Sequence, residues 1–113
     1  MNKRIDNYKD FWPYYLREHT LPANRALHYI GSTLVLLVLV LGITYEQFFW
    51  LWLMPIVGYG FAWFGHFKLE HNKPATFKYP LWSFISDFRM YFLWLSGSLD
   101  KELDAAGITS ELS

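Results

Sequence analysis

Four histidines are the residues of this chain best suited to chemistry: His19, His28, His66 and His71. There is no cysteine, which excludes disulfides, thiolate metal sites and cysteine nucleophiles. A metal, if held, must be held by His, Asp, Glu and water. Two carboxylates are placed to take part. Glu70 follows His66 by four residues, and Asp87 lies further on. Several imidazoles with a carboxylate suit iron(II), manganese or zinc. A two-His, one-carboxylate face with open positions is the usual arrangement of non-haem iron oxygenases. The ligating imidazoles must be neutral, and a carboxylate outside the ligand set can orient a histidine by accepting its other N–H.

Such residues need elements to bring them together, and the apolar pattern supplies them. Residues 29–45 (YIGSTLVLLVLVLGITY) and 47–65 (QFFWLWLMPIVGYGFAWFG) carry no charge, and Glu46 is the only charge between them. About 20 residues of helix cross a hydrocarbon core of roughly 30 Å. Neither run has the flanks of a cleaved signal peptide. The expected fold class is all-α: a small helical membrane protein with an antiparallel transmembrane hairpin, helices at about 25–45 and 47–70. Lys3, Arg4, Lys9, Arg17 and Arg25 precede the hairpin, Lys68, Lys73 and Lys78 follow it, and the turn has no Lys or Arg. Positive charge marks the cytoplasmic side, so both hairpin ends are expected there. Aromatics at 21% of residues fit a membrane–water boundary. A formal net charge of zero gives no basic excess for nucleic acid.

Before the hairpin, residues 10–20 read as an amphipathic surface helix with Asp10 as cap, Pro13 in the first turn, and Phe11, Tyr15 and His19 on one face. Asn24 is a candidate cap for the next helix. Pro55 is expected to kink the second membrane helix. Gly58, Ala62 and Gly65 form a strip of small residues for close helix contact. Residues 80–98 read as a third helix, interfacial or partly re-entrant because Asp87 and Arg89 near its middle are costly in lipid. A third span is left open, in which the two charges stay at the near surface. Residues 100–113 read as a loosely ordered polar tail.

On this topology His28, at the start of the first membrane helix, and His66, at the end of the second, share one depth. His19 leads into the same place. Glu70 lies about 40° from His66 on a helical wheel and faces with it, whereas His71, about 140° away, points elsewhere. Arg25 and Arg89 are candidates to hold a substrate carboxylate bidentately, with Asn24 as a further polar contact. They also have plainer roles open to them, as snorkelling cations and a helix cap.

Two stretches carry a family resemblance: FWPYYLREHTLPANRALHYIG (11–31) and GHFKLEHNKPATFKYPLWSFISDFRM (65–90). Their pattern is a His, then Asn-Arg-x-x-His, then Gly-His-x-x-x-Glu-x-Asn-x-Pro-Ala. The chain resembles the DUF962, or Mpo1-like, family of small membrane proteins. That resemblance implies an Fe(II)-dependent dioxygenase of fatty acid α-oxidation, which uses O2 to shorten a long-chain 2-hydroxy fatty acid by one carbon. It also implies His19, His28 and His66 as the iron ligands. Glu70 and Asp87 enter as catalytic candidates from spacing alone. The short chain is similar to prokaryotic members, so the expected location is a bacterial inner membrane. Two other classes stay open: a non-enzymatic lipid- or partner-binding membrane protein, and a zinc-dependent lipid hydrolase.

Overall fold

Helix α1 (Tyr8–Arg17) begins where Asn7 accepts a hydrogen bond from the Asp10 backbone N–H at 2.9 Å and returns one to its carboxylate at 3.2 Å. This reciprocal pair occupies the cap and third helical positions, so Asn7 caps the helix in place of Asp10. Pro13 consequently falls in the second turn, where it deprives only the exposed Lys9 carbonyl of a partner. Phe11, Trp12, Tyr15 and Leu16 form the buried face of α1. The structure, a computed structural model, describes residues 4–108.

Helix α2 (Pro22–Thr44) starts with proline at its first position, where the missing N–H is no loss. Asn24 therefore lies inside the first turn and does not cap it. At 23 residues, α2 is about 34 Å long, enough to cross a hydrocarbon core. The return limb, Phe48–Glu70, is continuous but composite. It runs as a 3-10 segment (Phe48–Trp52), α3 (Leu53–Phe64) and a π-helical turn (Gly65–Glu70). Pro55 falls in the first turn of α3, so it marks the change from 3-10 to α geometry rather than a kink in mid-helix.

Only 33% of the most apolar window of α2, and 11% of that of the return limb, is buried in the protein. Leu37, Val40, Ile43, Phe49, Trp52 and Ile56 are exposed. A buried hairpin in a soluble core would hide these faces. The all-α chain is thus a small helical membrane protein with two helices long and apolar enough to span a bilayer.

The two limbs approach closely along the expected strip of small residues. Gly65 is the decisive one: a β-carbon there would lie 1.9 Å from Asn24 Oδ1. Helix α4 (Pro80–Ser96) stops at Gly97, whose φ of 78° suits glycine. Helix α5 (Leu99–Ala105) follows it. The start of the expected loose tail is therefore ordered. Leu99 and Leu103, one turn apart, bury against α1 with Ala106 and Ile108, an apolar spacing hidden among the charges of 100–104. Residues 109–113 lie outside the described residues. The helices α1, α4 and α5 form an aromatic-rich core beside the open end of the hairpin, with Phe11 packed on Tyr79 and Trp82.

Substituting Gly65→Ala drives a methyl group into the Asn24 amide. Overpacking of this kind costs about 1–3 kcal/mol. The apparent melting temperature in detergent should fall by roughly 5–15 °C for a domain of this size. Gly60→Ala, where a β-carbon meets nothing within 4 Å, should leave it unchanged.

Candidate metal centre

The turn after α1, the second turn of α2 and the π-helical turn deliver His19, His28 and His66 to one point. All three are buried, and one nitrogen from each lies within 4.8 Å of the others. Their ring centroids are 4.5, 4.5 and 5.1 Å apart, with ring planes at 76–85° to one another.

The outer nitrogens fix the tautomers. His19 Nδ1 lies 2.7 Å from the Tyr15 carbonyl, which can only accept, so Nδ1 carries the proton. His66 Nδ1 lies 2.7 Å from Asn72 Oδ1, and Asn72 presents that oxygen because its amide nitrogen donates to the Glu18 carbonyl at 3.2 Å. Both Nε2 atoms are then bare lone pairs, yet they face each other at 3.0 Å. Two lone pairs repel at that distance unless a proton or cation lies between them. His28 Nε2 is buried and has no hydrogen-bond partner among the described residues. Burial, joined by neighbouring His28 and His66, holds His19 well below the ordinary imidazole value, which keeps it in the neutral form a metal requires. Metal–imidazole bonds near 2.1 Å put two adjacent ligands about 3 Å apart, matching the His19–His66 separation. The donor set fits a first-row divalent metal.

Oxygen atoms surround this set. Asp87 Oδ1 lies 3.9 Å from His28 Nδ1 and accepts a hydrogen bond from the Tyr15 phenol. Burial pushes the Asp87 carboxyl up to about 7, against the opposing pull of Tyr15. Burial first, then Asp87, holds the Tyr15 phenol well above its usual value, so it stays a donor. A cavity of about 20 Å³ lies among His19, His28, His66, Tyr15, Asp87 and Ser83. That is room for roughly one small ligand. Ser83 Oγ is buried without a partner.

Other expected residues lie elsewhere. Glu70 does share the α2-facing side of its helix with His66, but it reaches past the imidazoles. Its carboxylate accepts from Thr20 Oγ1 (3.0 Å), the Leu21 N–H (2.9 Å) and Asn24 Nδ2 (3.0 Å), which caps α2 from outside. Asn24 is fully buried in that network. Arg25 is buried too, its Nη1 donating to the His19 and Thr20 carbonyls at 2.6 and 3.0 Å. It holds the chain that carries His19 and does not present its guanidinium to a ligand cavity with the imidazoles. Arg89 is remote from the cluster. It stacks 4.0 Å over Trp12 and pairs with Glu102 at 3.8 Å, where Trp12 Nε1 also donates to Glu102. His71 is exposed with φ 58°, ending the π-helical turn.

Spacing arguments passed over Tyr15, Asn72 and Ser83. Tyr15 could have been found, because its carbonyl lies one helical turn before His19. Asn72 stood in the quoted Glu-x-Asn pattern without a role. Ser83 carried no signal.

No curated protein and no solved structure matches the chain. The sequence model of the family described as 2-hydroxy-palmitic acid dioxygenase Mpo1-like matches residues 5–99, a span that takes in all three imidazoles, Asn72 and Asp87. On that match the chain belongs to the Mpo1-like family.

Proposed function

We propose that this protein is an Fe(II)-dependent dioxygenase that shortens a long-chain 2-hydroxy fatty acid by one carbon. The observation that carries the reading is the convergence of three buried imidazoles whose Nε2 atoms, among the described residues, have no partner outside the cluster. The family's description supplies the substrate class.

His19, His28 and His66 would hold the metal. Iron(II) supplies the electron transfer to dioxygen that no side chain can provide. The stoichiometry closes without another reductant. Breaking C1–C2 turns C2 into the carboxyl carbon of the shorter acid and releases C1 as carbon dioxide. The four electrons lost by the two carbons reduce one O2, with one water formed. The protein's part is positional. The Tyr15 carbonyl and Asn72 Oδ1 aim two imidazoles by holding their Nδ1 protons. Asp87 stands beside His28 Nδ1, and Tyr15 fixes its carboxylate.

A three-imidazole set also suits zinc, so a zinc-dependent lipid hydrolase is the second reading. Metal analysis of gently purified protein separates them. Iron near one per chain, and a one-carbon-shorter acid formed from 2-hydroxypalmitate under O2, are the expected results. Zinc in its place, or no shortened product across several chain lengths, overturns the proposal.

His28→Ala and His66→Ala should each lose metal to below about a tenth of the wild-type content, since each removes a ligand. Normal metal content in both would remove these residues from the ligand set. Asn72→Ala should leave the ligands in place but weaken metal affinity by roughly 10–100-fold, read by competition with a chelator.

The same reading places both hairpin ends on the cytoplasmic side of a bacterial inner membrane, supported by the lysine and arginine distribution. The chain has no native cysteine, so single cysteines report topology cleanly. An impermeant thiol reagent added outside spheroplasts should label Glu46→Cys and spare Lys73→Cys. The reverse pattern overturns the orientation.

A further inference from the structure

A second, larger cavity adjoins the imidazole cluster. It holds about 330 Å³ and is lined from α2 by His28, Ser32 and Val35, from the return limb by residues between Leu51 and Ala62, and from α4 by Phe84, Asp87 and Phe88. It meets the small imidazole-lined cavity at His28, Tyr59, Ala62 and Asp87. Apart from that end the walls are almost wholly apolar. Ala62 to Leu51 spans eleven residues of the return limb, so the cleft extends about 16 Å from the cluster toward the hairpin turn. Helices α3 and α4 both pack on α2 but scarcely touch each other, which leaves the cleft open between them. Phe84 and Tyr59 are exposed at the opening, and Leu81, Ile85, Phe92 and Leu95 continue an apolar stripe along α4. The opening therefore faces the same surroundings as the lipid-exposed sides of the hairpin.

We infer that this cleft is the binding site of a single-chain fatty acid, admitted sideways from the bilayer, with its head group at His28 and Asp87 and its tail toward Leu51. Three observations select that occupant. The volume is in the range of a small-ligand pocket and far too narrow for a helix about 10 Å across, so a second copy of the chain does not fit it. The apolar walls match an acyl chain. The head end closes on a cavity of only about 20 Å³, which leaves no space for the glycerophosphate of a bilayer phospholipid. The inference rests on the dioxygenase reading only for the 2-hydroxyl on the head group. The chain site stands on shape.

The test uses iron-loaded wild-type protein in lipid nanodiscs, kept without oxygen so that no substrate is consumed. Two photoreactive 2-hydroxypalmitate analogues are compared, one with a diazirine at the chain end and one with it close to the head. After irradiation the modified residues are located by mass spectrometry. The chain-end probe should mark Leu51, Met54 or Val35, and the head-end probe Tyr59, Ala62 or Phe88. Unlabelled 2-hydroxypalmitate should compete with both. Labels spread over Leu37, Ile43 and Phe49, or a reversed order of the two probes, overturn the assignment. So does equal cleft labelling by a phosphatidylcholine carrying the same chain-end diazirine, which would make the cleft ordinary lipid-facing surface. Ser32→Trp places a bulky ring midway along the cleft. It should cut labelling at least about tenfold, a loss of about 1.4 kcal/mol in binding, while iron content stays normal. Unchanged labelling in that variant counts against the site, and the wild-type map decides the matter should the variant fail to fold. Correct labels with no shortened product when oxygen is readmitted would overturn the dioxygenase reading and leave the chain site standing.

Discussion

The register between the two membrane helices rests on one buried contact. Asn24 fits against the bare backbone of Gly65 and hands its amide protons to Glu70. Glu70 in turn holds the Leu21 N–H and the Thr20 hydroxyl. A carboxylate receiving three donors is a strong clamp, and in a poorly solvated boundary its donors have few alternatives. Slide one helix by a single residue and Asn24 meets a Cβ, while Glu70 loses its partners. The same register fixes the height of His28, four residues along α2 from Asn24, relative to His66, which follows Gly65 directly. The geometry of the imidazole cluster is thus a consequence of a contact that none of the imidazoles makes. Arg25 extends the constraint to the third imidazole by binding the carbonyls of His19 and Thr20.

Burying three imidazoles together is unfavourable unless something occupies their shared side. For two of them the outer hydrogen bond forces the inner nitrogen to present a lone pair. That arrangement concentrates negative electrostatic potential at one point. Structural hydrogen-bonding histidines would pair donor with acceptor instead. The pattern here could hold a cation, and a bound ion would then add to the stability of the surrounding turns.

Much of this was legible in the residues. Two charge-free runs joined by Glu46 required a hairpin, and a hairpin required His28 and His66 to lie at one level. The i, i+4 step from Tyr15 to His19 put both on one side of the chain leading into the cluster. What misled was local chemistry that serves two ends at once. Asn24 and Glu70 carry the right atoms for a cap or a ligand, and only the depth of the Gly65 contact assigns them to each other. Arg25 has the shape of a carboxylate receptor, but backbone carbonyls two turns of chain away claim it. Leu99 and Leu103 looked like stray apolar residues in a charged tail because their partners, in α1, lie some 85 residues earlier. Such long-range pairings leave no periodic trace.

The position of the centre at the end of the hairpin follows from two opposed requirements. On the proposed reading the substrate, a 2-hydroxy acid, has a head that prefers water and a tail that prefers lipid, so it is met where both are available. Deep in the membrane, a ring of polar residues around the imidazoles would be costly to satisfy. Above the boundary, the tail would have to leave the bilayer. The chain answers with α4, which buries Ser83, Ser86, Met90 and Tyr91 while its other face stays apolar and exposed. Asp87 lies between those faces, open to the cleft on one side and tied to Tyr15 on the other. A helix of this kind closes the third wall of the cleft without closing off the lipid. That explains why Asp87 and Arg89, which argued against a third span, sit in the middle of a helix otherwise greasy enough to be one. Asp87 turns inward to the imidazoles, and Arg89 lies over Trp12 in the juxtamembrane core. Neither charge has to face the hydrocarbon.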